Sequence, residues 1–132
     1  MTMKLHCFGE SGNAYKAALT LTLADAEWEP VFVDFFKGES RSPEFRALNV
    51  MGEVPVLEDG DLILTQSGVI QDYISSKTGK LGGRSAAERR EVLRWMFFDN
   101  HKVSGVAGPL RFNMNYLPED KRNADVNNFM AM

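Results

Sequence analysis

The sequence predicts an α/β domain of order βαβ, short helix, ββα, followed by an incomplete all-α domain. Three observations carry that prediction. Apolar residues alternate over 3–8, take a 3.6-residue period over 13–26, and return to a strand-favouring Val-Phe-Val run at 31–33. Asp59-Gly60 lies between two short apolar runs, a hairpin signal. Beyond a Gly- and Lys-containing segment at 79–84, the remaining pattern is helical only.

Residues 3–8 form the first strand, which Gly9-Glu10-Ser11-Gly12 breaks. Ala14, Ala17, Ala18, Leu21 and Ala24 then share one face, a small-residue stripe suited to close packing on a sheet. Val31-Phe32-Val33 is the second strand, parallel to the first across the intervening helix, and the crossover of such a βαβ unit is right-handed almost without exception. Ser42-Pro43-Glu44 supplies a cap, an N1 proline and a first-turn acid for a short helix ending near Asn49. Residues 56–58 and 62–64 form the antiparallel hairpin, and a helix over 67–76 presents Val69, Ile70, Tyr73 and Ile74 on one face. This order is the thioredoxin-like layout, over residues 1–78. After the 79–84 linker, Ser85-Ala86-Ala87-Glu88 is a capping box opening a partial helical domain over 85–132. Its first helix carries Val92, Leu93, Met96, Phe97, Val103 and Val106 and is expected to end at Gly108-Pro109. Leu117-Pro118-Glu119-Asp120 turns the chain, and a further helix is expected from Ala124 onward.

Composition narrows the function classes. With 44% hydrophobic and 25% charged residues over 132 positions, the chain has an ordinary globular make-up. A net charge of -3 without a basic run argues against nucleic acid as a partner. Cys7 stands alone, which forbids an internal disulfide or a multi-cysteine metal site, so no metal is expected. No apolar stretch approaches signal-peptide or membrane-spanning length, and the expectation is a cytoplasmic protein with no membrane partner.

Two stretches combine into a binding hypothesis. Pro55 in Glu53-Val54-Pro55-Val56-Leu57 has no N–H to give a ladder, so it belongs at a strand start, an edge or a cis turn. Read as cis, it leaves the Val54 N–H and C=O free to pair with an extended peptide as one more strand would. Ser67 opens a helix whose free N–H groups attract a carboxylate. One peptide-like acid could touch both. Ser67 taken alone is as readily a plain helix cap, and Arg41 a solvated surface arginine.

Lys4-Leu5, Ser11-Gly12-Asn13 with Lys16, Gly38-Glu39, Ser42-Pro43-Glu44-Phe45, Leu48-Asn49, Gly52, Val54-Pro55-Val56-Leu57, Asp59-Gly60 and Gln66-Ser67 with Ile70 and Tyr73 together resemble a bacterial glutathione transferase of the serine-type cytosolic superfamily. The likeness covers the first domain and reaches Trp95 and Phe98 in the second. It implies a homodimer acting on glutathione as cosubstrate and on a small hydrophobic electrophile. Gln66 stands where many members carry Glu, and the chain is shorter than the family's helical domain requires.

Glutathione offers two carboxylates, an amine and a thiol. The resemblance implies that Val54 supplies the strand edge, that Ser67 and Gln66 meet the γ-glutamyl end, and that Arg41 meets the glycyl carboxylate. Ser11 would stabilise the thiolate by donating its hydroxyl to the sulfur, with Asn13 steadying Ser11 or the sulfur, unless Asn13 serves only as a cap. No Ser-His-Asp arrangement is suggested, since His6 lies in a strand and His101 in the second domain. Two alternatives keep the same fold: a non-catalytic interaction module, which needs the Val54-Pro55 scaffold but not Ser11, and a glutathione-dependent isomerase or peroxidase. A thioredoxin-type oxidoreductase ranks last because Ser11 occupies the place of its reactive cysteine.

Overall fold

The computed structural model describes residues 2–131. They divide into two compact units, the first ending at Glu88 and the second beginning at Arg89. In the first, β1 (Met3–Cys7), α1 (Gly12–Leu23), β2 (Trp28–Phe32), α2 (Pro43–Leu48), β3 (Val56–Asp59), β4 (Leu62–Thr65) and α3 (Ser67–Thr78) follow the predicted order. The sheet runs β2-β1-β3-β4, with β1 and β2 parallel and the other neighbours antiparallel.

Alternation along β1 sends Met3 and Leu5 to one face, where they meet Ala17, Leu21 and Ala24 of α1 and its end, Leu57, and Ile70 and Ile74 of α3. The opposite face holds a smaller cluster, Val33, Phe45 and Val56. Each fully buried Leu, Ile or Val stabilises the fold by about 1.5–3 kcal/mol relative to exposure. The alanines on α1 let it lie close to the sheet. Val69, expected on the buried face of α3, is instead exposed.

The second strand begins earlier than expected and includes Pro30. Because β2 is an edge strand paired only with β1, a missing N–H there can face outward at no cost to the ladder. Two 3-10 turns, Phe35–Lys37 and Glu39–Arg41, were not legible beforehand. Ser42 caps α2 as expected, accepting from Phe45 N–H at 3.1 Å.

The final helical stretch corrects one expectation: Gly108-Pro109 does not end it. α4 (Ala86–Phe98), a π-helical turn (Asp99–Val103) and α5 (Ser104–Asn115) follow one another, with Pro109 inside α5. A proline clashes with the Cβ of the residue before it; Gly108 has none, which removes one of the costs of Pro109 inside α5, although its missing N–H still forfeits one helical hydrogen bond. Ser85 Oγ accepts from Glu88 N–H at 3.1 Å, half of the expected capping box, while Glu88 reaches the Arg84 N–H at 2.6 Å. α6 (Ala124–Ala131) returns against α5. Buried Asn113 fastens that turn, donating to Asn123 O at 3.1 Å and Asn127 Oδ1 at 2.6 Å, and accepting from Asn123 N–H at 3.1 Å. Leu93, Phe97 and Val103 of the apolar series are exposed in the single chain. Among the described residues, no helix is long and apolar enough to cross a membrane.

Candidate active site

Strand register decides where the loops emerge. His6 and Val56 are partners across β1 and β3, Cys7 and Phe32 across β1 and β2, and Val56 and Thr65 across β3 and β4. Just beyond these pairs come Phe8 to Ser11, Val54-Pro55 and Gln66-Ser67. The three segments therefore leave the sheet side by side at one end, together with the chain that follows β2.

Ser11 is the N-cap of α1, its Oγ accepting from Ala14 N–H at 3.1 Å. Among the described residues this hydroxyl donates to no partner, so its proton remains available. An oxygen that already accepts a hydrogen bond is the better donor for it. The Ser11 N–H holds the loop to Phe8 O at 3.1 Å.

Asn13 is not the cap of α1, since Ser11 occupies that position. Its Oδ1 lies 3.5 Å from Ser67 Oγ, joining residues 54 apart in sequence and tying the start of α1 to the start of α3. Neither is Ser67 a cap: Gln66 holds that position, with φ 71° and ψ 122° and no side-chain capping bond. Ser67, only 7% exposed, is the first helical residue, and among the described residues no side chain caps the first N–H groups of α3. Left-handed backbone at a non-glycine residue costs of order 1–3 kcal/mol and concentrates at functional sites.

The Val54–Pro55 peptide bond is cis. Val54 precedes β3 and lies outside its ladder, and among the described residues its N–H and C=O take part in no turn, loop or cap hydrogen bond. Arg41 is exposed at the end of the second 3-10 turn, and among the described residues it makes no ion pair.

Sequence reasoning missed the supports. Buried Asn49 donates to Glu53 O at 2.8 Å and accepts from Met51 N–H at 3.1 Å, fixing the loop that ends at Val54. Gly52 has φ 66°, and a Cβ there would stand 2.8 Å from the carbonyl of buried Ser40. The signal available was the Asn-to-Gly turn composition of 49–52. Also missed was an aromatic group beside the Ser11 loop: Phe8 stacks on Phe35 at 4.6 Å, and Phe36 meets both edge-on at 5.8 and 5.4 Å. Cys7, half-buried on β1, has its thiol pKa pushed up by burial, which opposes a reactive thiolate.

A family model for the glutathione S-transferase N-terminal domain matches residues 1–76. Glutathione S-transferase 3 of Zea mays is 34% identical over 121 residues, 88% of this chain and 54% of that protein. Protein LigF of a Sphingobium species is 40% identical over 103 residues, 73% of this chain and 40% of that one. Among solved structures, the theta class glutathione S-transferase of Xanthomonas axonopodis pv. citri, with glutathione bound, superposes with a TM-score of 0.87 at 28% identity, covering 98% of this chain and 63% of its own. The chain spans about half the length of the curated relatives it matches.

Proposed function

We propose, for a chain that belongs to the glutathione S-transferase family, that it binds glutathione at the end of the sheet where Ser11, Val54 and Ser67 converge and activates its thiol for conjugation to an electrophile. That convergence, dictated by the pairing of Val56 with both His6 and Thr65, is the observation that carries the reading.

The groups present fit the ligand piece by piece. Glutathione is an extended tripeptide, and Val54 offers a backbone N–H and C=O outside any ladder, as a strand edge does. Ser67 and the uncapped N–H groups of α3 suit the γ-glutamyl carboxylate, with Gln66 beside them. Arg41, free of ion pairs among the described residues, is the cation for the glycyl carboxylate.

Ser11 then acts on the sulfur. Its hydroxyl donates to the developing thiolate, a charge-assisted bond of about 1.5–3 kcal/mol, or roughly one to two pKa units. The N-terminus of α1 adds about 0.3–1 kcal/mol. A thiol of pKa about 8.5 is thereby brought near neutrality. The thiol proton passes to solvent, and the sulfur attacks the electrophile, forming the carbon–sulfur bond as the leaving group departs with its bonding pair, as chloride does from a chloronitrobenzene. The rings of Phe8, Phe35 and Phe36 offer an apolar wall beside this loop, which favours an aromatic or otherwise hydrophobic electrophile. A homodimer in the cytoplasm completes the proposal, on the resemblance alone.

Retention on immobilised glutathione, followed by turnover with a chloronitrobenzene, tests the reading. Retention with turnover is the expected result. Retention without turnover would leave a glutathione-binding module, and loss of both would remove glutathione from the proposal.

A further inference from the structure

Ser67 has one hydroxyl proton, and Asn13 Oδ1, 3.5 Å from Ser67 Oγ, stands at the long limit of hydrogen-bond reach as an acceptor for it. A carboxylate only accepts hydrogen bonds. With that proton committed to Asn13, Ser67 would turn lone pairs alone toward a bound carboxylate, and the two would repel. Asn13 is exposed and on the first turn of α1, so its carboxamide can turn over and bring the NH2 group to the place of the oxygen. The amide then donates to Ser67 Oγ and releases the hydroxyl proton for the ligand. Each bond in such a chain strengthens the next.

We propose that Asn13 is a positioning residue that acts through Ser67, accepting from its hydroxyl in the free protein and donating to it once a ligand carboxylate arrives. The inference rests on the reading that Ser67 meets a glutathione carboxylate. It moves Asn13 from the sulfur, where sequence resemblance puts it, to the opposite end of the ligand. Asparagine suits this task because a single side chain both donates and accepts; aspartate at the same position can only accept, and holds the Ser67 proton away from the ligand.

The test is calorimetric binding of glutathione to the 132-residue chain and its variants, with ultraviolet titration of the bound thiol. Asn13→Ala should weaken binding about three- to tenfold and leave the bound thiol pKa where it was. Asn13→Asp should weaken it at least about tenfold. On a Ser67→Ala background, Asn13→Ala should add less than about twofold, since the group it acts through is gone, and Asn13→Asp should add only the smaller loss due to its charge. Losses that multiply across Asn13→Ala and Ser67→Ala, wild-type binding by Asn13→Asp, or a thiol pKa that moves with Asn13→Ala would each overturn the relay. Failure of the unaltered chain to bind glutathione would instead overturn the functional reading beneath it. Asn13 is exposed, and unchanged thermal melting of its variants verifies that folding is not what the binding reports.

Discussion

Asn49 Nδ2 donates to the Glu53 carbonyl at 2.8 Å, one residue ahead of Val54, while its Oδ1 takes the Met51 N–H at 3.1 Å. One buried side chain thus closes both ends of the loop that delivers the Val54 backbone. Asn49→Ala strands a carbonyl and an N–H at once and should destabilise the domain by about 1–3 kcal/mol. Because the loop end shifts, glutathione affinity should fall as well. Denaturant unfolding and calorimetry together check this, and an Asn49→Ala protein as stable as wild type would refute the bracket.

Gly52 and Gly79 offer a controlled comparison. Both have positive φ, at 66° and 70°, but a Cβ on Gly52 would meet Ser40 O at 2.8 Å whereas one on Gly79 meets nothing within 4 Å. Gly79→Ala should therefore cost only the left-handed backbone penalty, about 1–2 kcal/mol. Gly52→Ala adds a backbone collision and should cost clearly more. Equal losses in urea melts would mean that the 3-10 turn holding Ser40 yields freely.

The Asp59 carboxylate accepts from Tyr73 Oη at 2.6 Å and is paired with Lys77. Lys77, and after it Tyr73, hold the Asp59 pKa below the ordinary carboxylate value; the carboxylate in turn raises the pKa of both partners. A depressed acid stabilises the fold above its unfolded value, about pH 4, and loses that contribution as pH falls through the folded one. The raised Tyr73 and Lys77 contribute fully below about pH 10 and lose their share as pH rises. Thermal melts across both limbs should show Asp59→Asn with a lower melting temperature at neutral pH and shallower slopes at each extreme. Unchanged slopes would assign the pH dependence elsewhere.

Local signals in the sequence account for most of the first unit. Alternation wrote β1, the alanine stripe wrote α1, Asp59-Gly60 wrote the hairpin, and Ser42-Pro43 wrote the start of α2, because each depends on residues a few positions apart. The site was legible as a set of residues and illegible as a set of contacts. Ser67 reads as a cap from sequence, but Gln66 takes that position with a left-handed backbone no propensity would assign it. The Asn13–Ser67 contact spans 54 positions and exists only once α1 and α3 have packed on the same face of the sheet. Pro109 misled for the converse reason: its local signal is strong, and Gly108 before it removes part of the steric cost that makes proline a helix breaker.

Ser11 has two duties that one substitution would confound and a pair can separate. Its Oγ caps α1 through Ala14 N–H, and in the proposed reaction the same hydroxyl donates to sulfur. Ser11→Ala removes both, so stability should fall by about 0.5–2 kcal/mol and the bound thiol pKa should rise by roughly one to two units. Aspartate is as good a cap as serine, yet its carboxylate has no proton to give and repels a thiolate. Ser11→Asp should thus recover most of the lost stability while raising the thiol pKa further than Ser11→Ala. Thermal melting reports the first duty and ultraviolet titration of bound glutathione the second. A Ser11→Asp protein that still binds glutathione as a thiolate at neutral pH would show that the sulfur is stabilised by some other group, and would leave Ser11 with its cap alone.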